Sequence, residues 1–218
     1  MQKNKVILLN FPPSSNFLYS NKGAIYPSAA VMLIGSLLKK NGYDIEIIDG
    51  AYDENYIETL KALIAKDDIL YVGMSVMTTQ IPLALNASRT VKKYKKDIPV
   101  VWGGAHPTLF PKETLLNDNV DIVVINEGSF TAMDLAGYFK AGGNLRGING
   151  VGFKNKDNEV SITGSRDMED IRQLPHFDFS MVNVENYLSQ GADSVYRREF
   201  PLSKERIRIM PILTGLGC

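Results

Sequence analysis

The sequence is poor in cysteine, in net charge and in long apolar runs, and each shortage excludes a class of protein. One cysteine among 218 residues cannot form an internal disulfide, and no hydrophobic leader segment follows Met1. Lysine plus arginine and aspartate plus glutamate both number 24, so the formal net charge is zero and no basic field would attract nucleic acid. The longest apolar stretch, 29–38, is interrupted by Gly35 and Ser36 and is shorter than the roughly 20 residues of a membrane helix. We therefore expect a cytoplasmic protein with no nucleic-acid partner and no membrane span.

Short β-branched runs alternate with longer helical patterns as far as Gly143, and this alternation predicts parallel strands joined by crossover helices on both faces of a sheet. Five strand-helix units favour an α/β fold of the flavodoxin-like, doubly wound kind, with a five-stranded parallel sheet. Ligands of such folds bind beyond the carboxyl ends of the strands, where the strand order reverses. The predicted strands are 5–10, 44–49, 69–75, 98–103 and 121–126, and the main predicted helices are 27–41, 81–96, a short one at 112–117, and 129–140.

The pattern changes after Gly143, which places a domain boundary near residue 145. Two short strand-like runs around Asp157 predict a β-hairpin, and 166–203 show no sustained periodicity, as expected of a linker or a partner-packing segment. A last strand-like run, 206–213, leads into a glycine-rich turn. We expect an α/β domain at 1–145, a hairpin and linker at 146–203, and the first strand of a further, truncated domain at 204–218.

The loops after the third, fourth and fifth predicted strands carry the candidate site. Ser75, Thr78 and Thr79 are more hydroxyl residues than one helix cap needs, so they could hydrogen-bond a buried heterocycle as well as cap the helix. The paired glycines Gly103 and Gly104 either let a bulky ligand lie against the backbone or form a tight turn that needs positive φ.

Three further features have two interpretations each. His106 could hydrogen-bond a ligand at the mouth of the site or be a partly exposed bystander. The fifth-strand loop, Glu127 and Gly128, offers a carboxylate and a flexible turn, or a charge that complements the start of a helix. Asp49 could mimic the ribose-binding acid of a dinucleotide fold, but the first-strand loop begins with Pro12 and lacks the required glycines, which favours a capping role for Asp49.

In their order along the chain, these residues resemble the cobalamin-binding domain that precedes the radical S-adenosylmethionine (SAM) domain of cobalamin-dependent radical SAM enzymes. The resemblance runs over essentially the whole chain. It rests on Pro12-Pro13, Tyr26-Pro27, Gly42-Tyr43, Ile47-Ile48-Asp49, Ser75-Val76-Met77, Gly103-Gly104, Glu127-Gly128 and the final Gly217-Cys218.

The resemblance implies that the chain binds cobalamin with its dimethylbenzimidazole tail detached. It also implies no histidine on cobalt, because the Asp-x-His-x-x-Gly motif of the methionine synthase branch is absent and neither His106 nor His176 lies in such a context. The implied cofactor-binding residues are Asn10, Pro12, Ser75, Val76, Met77, Thr78, Thr79, Gly103, Gly104, Ala105, His106, Glu127 and Gly128.

The end of the chain resembles the start of the radical SAM barrel, cut at the first cysteine of a Cys-x-x-x-Cys-x-x-Cys motif. In the full-length protein, Cys218 would then ligate a [4Fe-4S] cluster that works with S-adenosylmethionine, and the barrel would be this domain's partner. The whole enzyme would be a methyltransferase or a related radical enzyme, and the fragment alone would hold the cofactor without turnover.

Two alternatives remain open at the level of sequence. One is a cofactor-free, flavodoxin-like partner-docking module, although Asn10 with Ser75 does not supply the acidic cluster of a phosphorylated receiver. The other is a flavin- or nucleotide-binding domain, but Ser14-Ser15 has only weak similarity to a phosphate-binding loop.

Overall fold

The computed structural model describes residues 3–12, 27–66, 68–155, 157–167 and 170–190. Within these ranges the strands are β1 (Lys5–Asn10), β2 (Asp44–Asp49), β3 (Ile69–Ser75), β4 (Val100–Gly103), β5 (Ile122–Val124), β6 (Val151–Lys154) and β7 (Val160–Ile162). The α-helices are α1 (Ala29–Lys40), α2 (Tyr56–Ile64), α3 (Ile81–Tyr94), α4 (Ala105–Leu109), α5 (Pro111–Leu115), α6 (Ser129–Ala141) and α7 (Val184–Gln190).

All the described strands form one mostly parallel sheet in the order β2-β1-β3-β4-β5-β6-β7. The strands β1 to β5 are parallel, β6 pairs antiparallel with β5, and β7 pairs antiparallel with β6. The prediction of a flavodoxin-like α/β fold with five parallel strands is confirmed, and the antiparallel strands β6 and β7 extend the sheet to seven strands within the described ranges. The strand order reverses between β1 and β3, which makes the carboxyl ends of these two strands the expected ligand-binding edge.

Two predicted elements differ from the structure for local backbone reasons. The fifth strand ends at Val124, before the predicted residue 126, because Asn126 has a positive φ of 65° that strand geometry does not allow. The short helix predicted at 112–117 is α5, which begins one residue earlier, and a further helix that the sequence did not predict, α4, precedes it. They are separated at Phe110, whose extended φ of −131° is typical of the residue that precedes a proline.

Two apolar layers cover the two faces of the sheet. One layer packs α2 and α3 against β1, β3 and β4, and the other packs α1 and α6 against the opposite face of the same strands. Every residue of β3 except its last is buried, as expected of a central parallel strand. The indole of Trp102 is fully buried and donates to Ser88 Oγ at 2.9 Å, so its polar atom keeps a partner inside the core.

Residues 170–190, here called the strap, return from β7 to the opposite edge of the sheet and pack on α1 and β2. The backbone N–H of Asp178 donates to Ser36 Oγ at 2.8 Å, and the Lys39 ammonium lies 2.8 Å from an Asp178 carboxylate oxygen. Met181 lies so close to Gly35 that a Cβ there would stand 3.2 Å from its sulfur. The sequence predicted a linker in this region, and the described part of it is docked on the α/β domain.

The strap contact at Asp178 should depend on pH in the acid range. Hydrogen bonds from Lys39 and then from Ser180 lower the pKa of Asp178 to about 2, from an ordinary value of about 4. The stabilisation is therefore present above about pH 4 and is lost as the pH falls toward 2. We expect Asp178→Asn, which keeps an oxygen to cap Ser180, to lower the urea midpoint at pH 6. The difference from wild type should vanish near pH 2; a difference that is independent of pH would contradict the ion pair as its cause.

No helix in the described ranges is long and apolar enough to cross a membrane.

Candidate functional site

A cavity of about 380 Å³ opens at the carboxyl ends of the central strands, between the first turns of α1 and α6. Its walls are mainly apolar. The sheet contributes Leu8, Tyr71, Gly73, Val101 and Val124; the two helices contribute Ala29, Ala30, Val31, Ile34, Ser129 and Ala132; the rim contributes Ser75, Gly103, Gly104, Asn126, Glu127 and Gly128. The cavity thus lies at the edge where the topology of the fold places a ligand.

Small residues create this space. Ala29 and Ala30 stand at the start of α1, and Gly128 immediately precedes α6, so the two helices begin without bulky side chains between them. Along the floor, Gly73 gives the side chains of Leu8 and Tyr71 room to lie against β3; a Cβ there would stand 3.0 Å from Leu8 Cδ2 and 3.3 Å from Tyr71 Cε2. A ligand in the cavity would therefore rest mainly on apolar side chains.

The two glycines after β4 have different roles. Gly104 has φ 97° and ψ −167°, a region that is essentially restricted to glycine, and a Cβ there would stand 3.0 Å from the Val76 nitrogen. This close approach is fixed by hydrogen bonds from Val76 N–H to the Gly103 carbonyl at 2.8 Å and from His106 N–H to the Val76 carbonyl at 3.0 Å. Gly103 has no positive φ, and a Cβ on it would meet only Val124, at 3.7 Å. Gly104 is required by the turn, whereas Gly103 leaves room in the cavity.

The structure brings together five of the predicted cofactor-binding residues and leaves the others outside the cavity. Ser75, Gly103, Gly104, Glu127 and Gly128 line it. Among the others, Val76 is buried in the core on the opposite face, and the consecutive residues 77–79 are exposed. The remaining predicted residues that do not line the cavity are Asn10 and Pro12 at the end of β1, and Ala105 and His106 at the start of α4.

His106 is held by its neighbours outside the cavity. Its Nδ1 lies 3.4 Å from Thr78 Oγ1, and its ring is tilted against Phe110 with 5.4 Å between centroids. Partial burial lowers the pKa of His106 below its ordinary value, and the charge of Glu113 opposes this effect. The imidazole is therefore neutral at neutral pH.

Glu127 forms the helix-terminus contact that was one of its two predicted interpretations. Its carboxylate accepts from the Ser129 N–H at 3.0 Å and from Ser129 Oγ at 2.6 Å. This arrangement places a negative charge at the N-terminus of α6, where the helix dipole favours it. The hydroxyl of Ser129, on the cavity wall, is already engaged by this contact.

Gln80 is a buried polar residue that the sequence interpretation missed. Its Oε1 accepts from Met77 N–H at 3.0 Å, while its Nε2 donates to the carbonyls of Phe11 and Pro12 at 3.0 and 3.2 Å. Gln80 thereby ties the exit of β1 to the exit of β3. A glutamine three residues after a loop residue at a helix start is the available signal, because a capping box has that spacing.

Asp49 connects the exits of β1 and β2. Its Oδ1 accepts from Ala51 N–H at 3.0 Å, which is the local capping that the sequence favoured. The same oxygen accepts from Asn10 Nδ2 at 3.0 Å, and Oδ2 accepts from the Tyr187 hydroxyl at 2.8 Å. The carboxylate is therefore shared between the sheet and the strap.

Among the described residues, no group of three or more histidine, cysteine, aspartate and glutamate side chains could hold a metal ion. Cys218, the predicted cluster ligand, lies outside the described residues, as do Pro13, Ser14, Ser15 and Tyr26.

Comparison with known families gives a match to the B12 binding domain over residues 17–136. An uncharacterized methyltransferase of Pyrococcus horikoshii aligns with 85% of this chain at 24% identity. The cytidylyl-2-hydroxyethylphosphonate methyltransferase of Streptomyces wedmorensis aligns with 72% of this chain at 25% identity. The chain spans only 40% and 33% of the lengths of these two relatives.

Solved structures share the fold. The cobalamin-dependent S-adenosylmethionine radical enzyme OxsB with aqua-cobalamin bound superposes with a TM-score of 0.64 over 77% of this chain and 23% of its own, at 20% identity. The radical S-adenosylmethionine methyltransferase TsrM from Kitasatospora setae, with cobalamin and a [4Fe-4S] cluster bound, gives 0.62 over 79% of this chain and 31% of its own, at 17% identity. The B12-binding family match over residues 17–136 confirms the resemblance inferred from the sequence motifs, and the solved structures show the same fold.

Proposed function

Because this chain belongs to the B12-binding domain family, we propose that it binds cobalamin with the dimethylbenzimidazole tail detached from cobalt and lodged in the cavity between α1 and α6. The observation that carries the proposal is the position and shape of this cavity. It lies at the ligand-binding edge of the sheet, and its volume of about 380 Å³ is within the roughly 300–1,000 Å³ of small-molecule sites.

The residues of the cavity fit a flat, mainly apolar heterocycle on a polar chain. Leu8, Tyr71 and Val101 supply an apolar floor, and Ser75 with the bare backbone at Gly103 supplies polar groups at the rim. The Tyr71 hydroxyl is satisfied by the Ala132 carbonyl at 3.2 Å, so the floor presents no unpaired phenol to an apolar ring. These features support binding of the tail; the corrin ring would lie outside, over the strand exits.

We further propose that no histidine of this chain ligates cobalt. The His106 ring is packed against Phe110 with its Nδ1 beside Thr78 Oγ1, while His176 is an exposed residue of the strap. The loop after β1, where the methionine synthase branch carries its ligand, contains no histidine.

The chain would serve as the cofactor domain of a longer radical SAM enzyme, most simply a methyltransferase. Bound cobalamin would supply a transferable methyl group, and a following barrel would supply the [4Fe-4S] cluster, with Cys218 as one ligand, and S-adenosylmethionine. The names of the relatives and the small share of their length that this chain spans support this assignment. The role of the residues described above is to bind and orient the cofactor and to keep water from its tail.

The test is a comparison of two ligands that differ only in the tail. We expect the chain to bind hydroxocobalamin at least about tenfold more tightly than cobinamide, which lacks the nucleotide tail, because burial of the apolar ring outweighs the cost of breaking its bond to cobalt by more than about 1.4 kcal/mol. Methylcobalamin should show the visible spectrum of the tail-detached form. Equal affinity for the two ligands, or a spectrum of tail-attached cobalamin, would refute lodging of the tail in the cavity.

The variant His106→Ala tests the proposal that no histidine ligates cobalt. Because the His106 ring is engaged by Thr78 and Phe110, the spectrum of the bound cofactor should not change in this variant. A shift in the cobalt spectrum of this variant would assign His106 as a ligand and would contradict the proposal.

A further inference from the structure

A buried carboxylate joins the strap to the exit of β1. Asp49 is 8% exposed, and its two oxygens have different partners: Asn10 Nδ2 on the β1 side and the Tyr187 hydroxyl on the strap side. Removing one partner of a buried charged acceptor leaves that charge undersatisfied, so each partner contributes to the position of the other.

Tyr187 is built into this contact. It is 4% exposed, and its ring packs against Tyr52 with 5.8 Å between centroids. Burial and then the hydrogen bond to Asp49 raise the pKa of Tyr187, so its hydroxyl remains protonated and donates throughout the neutral range. Tyr52 is 39% exposed and presents a second phenol beside the first.

The exit of β1, residues 10–12, is held from both sides. Asp49 accepts from Asn10, and Gly50 N–H donates to the Asn10 carbonyl at 2.9 Å. On the other side, Gln80 donates to the carbonyls of Phe11 and Pro12. A connected set of hydrogen bonds therefore leads from the strap through the exit of β1 to the exit of β3.

We propose that docking of the strap and binding of the cofactor are coupled through Tyr187, Asp49 and Asn10, and that Tyr187 is a positioning residue for the site. This inference rests on the proposed function, because the exit of β1 lies at the strand-order reversal where the cofactor would bind. The coupling is reciprocal: a docked strap fixes the β1 exit for the cofactor, and bound cofactor protects the strap.

The test combines hydrogen exchange with a pair of tyrosine variants. In the wild-type chain, hydroxocobalamin should slow amide exchange of the strap by about fivefold or more. Tyr187→Phe keeps the ring and removes the hydroxyl; its affinity for hydroxocobalamin should fall about fivefold or more, and the cofactor should no longer slow exchange in the strap. Tyr52→Phe removes the neighbouring phenol, which does not donate to Asp49, and should behave as wild type.

The outcomes separate the two proposals. If wild-type protein does not bind hydroxocobalamin, both proposals fail. If it binds, but strap exchange is unaffected by cofactor and Tyr187→Phe binds normally, the coupling is overturned and the cofactor site stands. A purely structural role of Tyr187 would lower stability yet leave the cofactor-dependent slowing of exchange intact, and this result would also overturn the coupling. Should Tyr187→Phe fail to fold, the exchange measurement on the wild type decides alone.

Discussion

Gly103→Val is expected to weaken binding of hydroxocobalamin by about 100-fold, or about 2.7 kcal/mol, while leaving the affinity for cobinamide nearly unchanged. Gly103 lines the cavity, and an added Cβ would meet only Val124, at 3.7 Å. The Cβ of a valine therefore meets no clash at the end of β4, and its γ-methyls would occupy space assigned to the tail. The two ligands should be measured on the same preparation by visible-absorption titration.

Comparing cobalamin with cobinamide shows which part of the cofactor residue 103 contacts. An equal loss of affinity for cobalamin and cobinamide would mean that residue 103 contacts the corrin and that the tail lies elsewhere. Unchanged affinity for both would remove the cavity from the site. The thermal midpoint of the apoprotein serves as the control and should not fall, because β-branched residues suit a strand.

Gly104→Ala is expected to lower the stability of the whole domain by about 1–3 kcal/mol. The φ of 97° and ψ of −167° at this position are unfavourable for any residue with a Cβ. The new methyl would also press on backbone atoms of Val76, which cannot move aside as a side-chain end can. Urea denaturation of the apoprotein measures the loss, and hydroxocobalamin affinity should fall as well, because the β3 and β4 exits must separate.

Two other glycines provide controls for this substitution. Gly103→Ala adds the same methyl one residue earlier, at ordinary contact distance, and should be close to neutral for stability. Gly137→Ala, inside α6 with open space around its Cβ position, should stabilise the chain by about 0.5–1 kcal/mol. If Gly104→Ala were as stable as Gly103→Ala, the turn at 104 would not require glycine.

The fold could be predicted from sequence because its signals are local. Buried parallel strands show as short, nearly continuous apolar runs, as 69–75 does, and Pro and Gly mark the ends of helices. The edge of the sheet at which the cavity opens followed from the alternation of strands and helices alone. Loop positions such as Ser75 and Gly103 could therefore be proposed before any coordinates were known.

The walls of the cavity could not be predicted in the same way. Ala29 and Ala132 belong to helices whose apolar stripes show that they are packed, but not on which face of the sheet or beside which neighbour. Gln80 has an ordinary sequence context, and its structural role comes from the hydrogen bonds that it donates to the carbonyls of residues 11 and 12. Such contacts depend on tertiary geometry, which periodicity does not encode.

Docking of the strap could not be predicted from sequence either, because its contacts join residues that are far apart in the chain. Its sequence has little periodicity, and its docking depends on single residues such as Asp178 and Tyr187 meeting partners on α1 and β2. A segment of this composition is typical of a linker, and only its contacts show that it is part of the folded domain.

The hydrogen bond between Asp49 and Tyr187 also has a consequence for biogenesis. The two residues are 138 positions apart, so during synthesis every described strand leaves the ribosome before the strap is available. Domains commonly fold from the N-terminus as they emerge, and closing so long a loop is entropically unfavourable until the rest of the structure is in place. The β2 exit is thus the last part of the described domain to mature, and a nascent chain that has emerged beyond residue 162 but not yet to residue 187 should have all the described strands in place with an unfinished β2 exit.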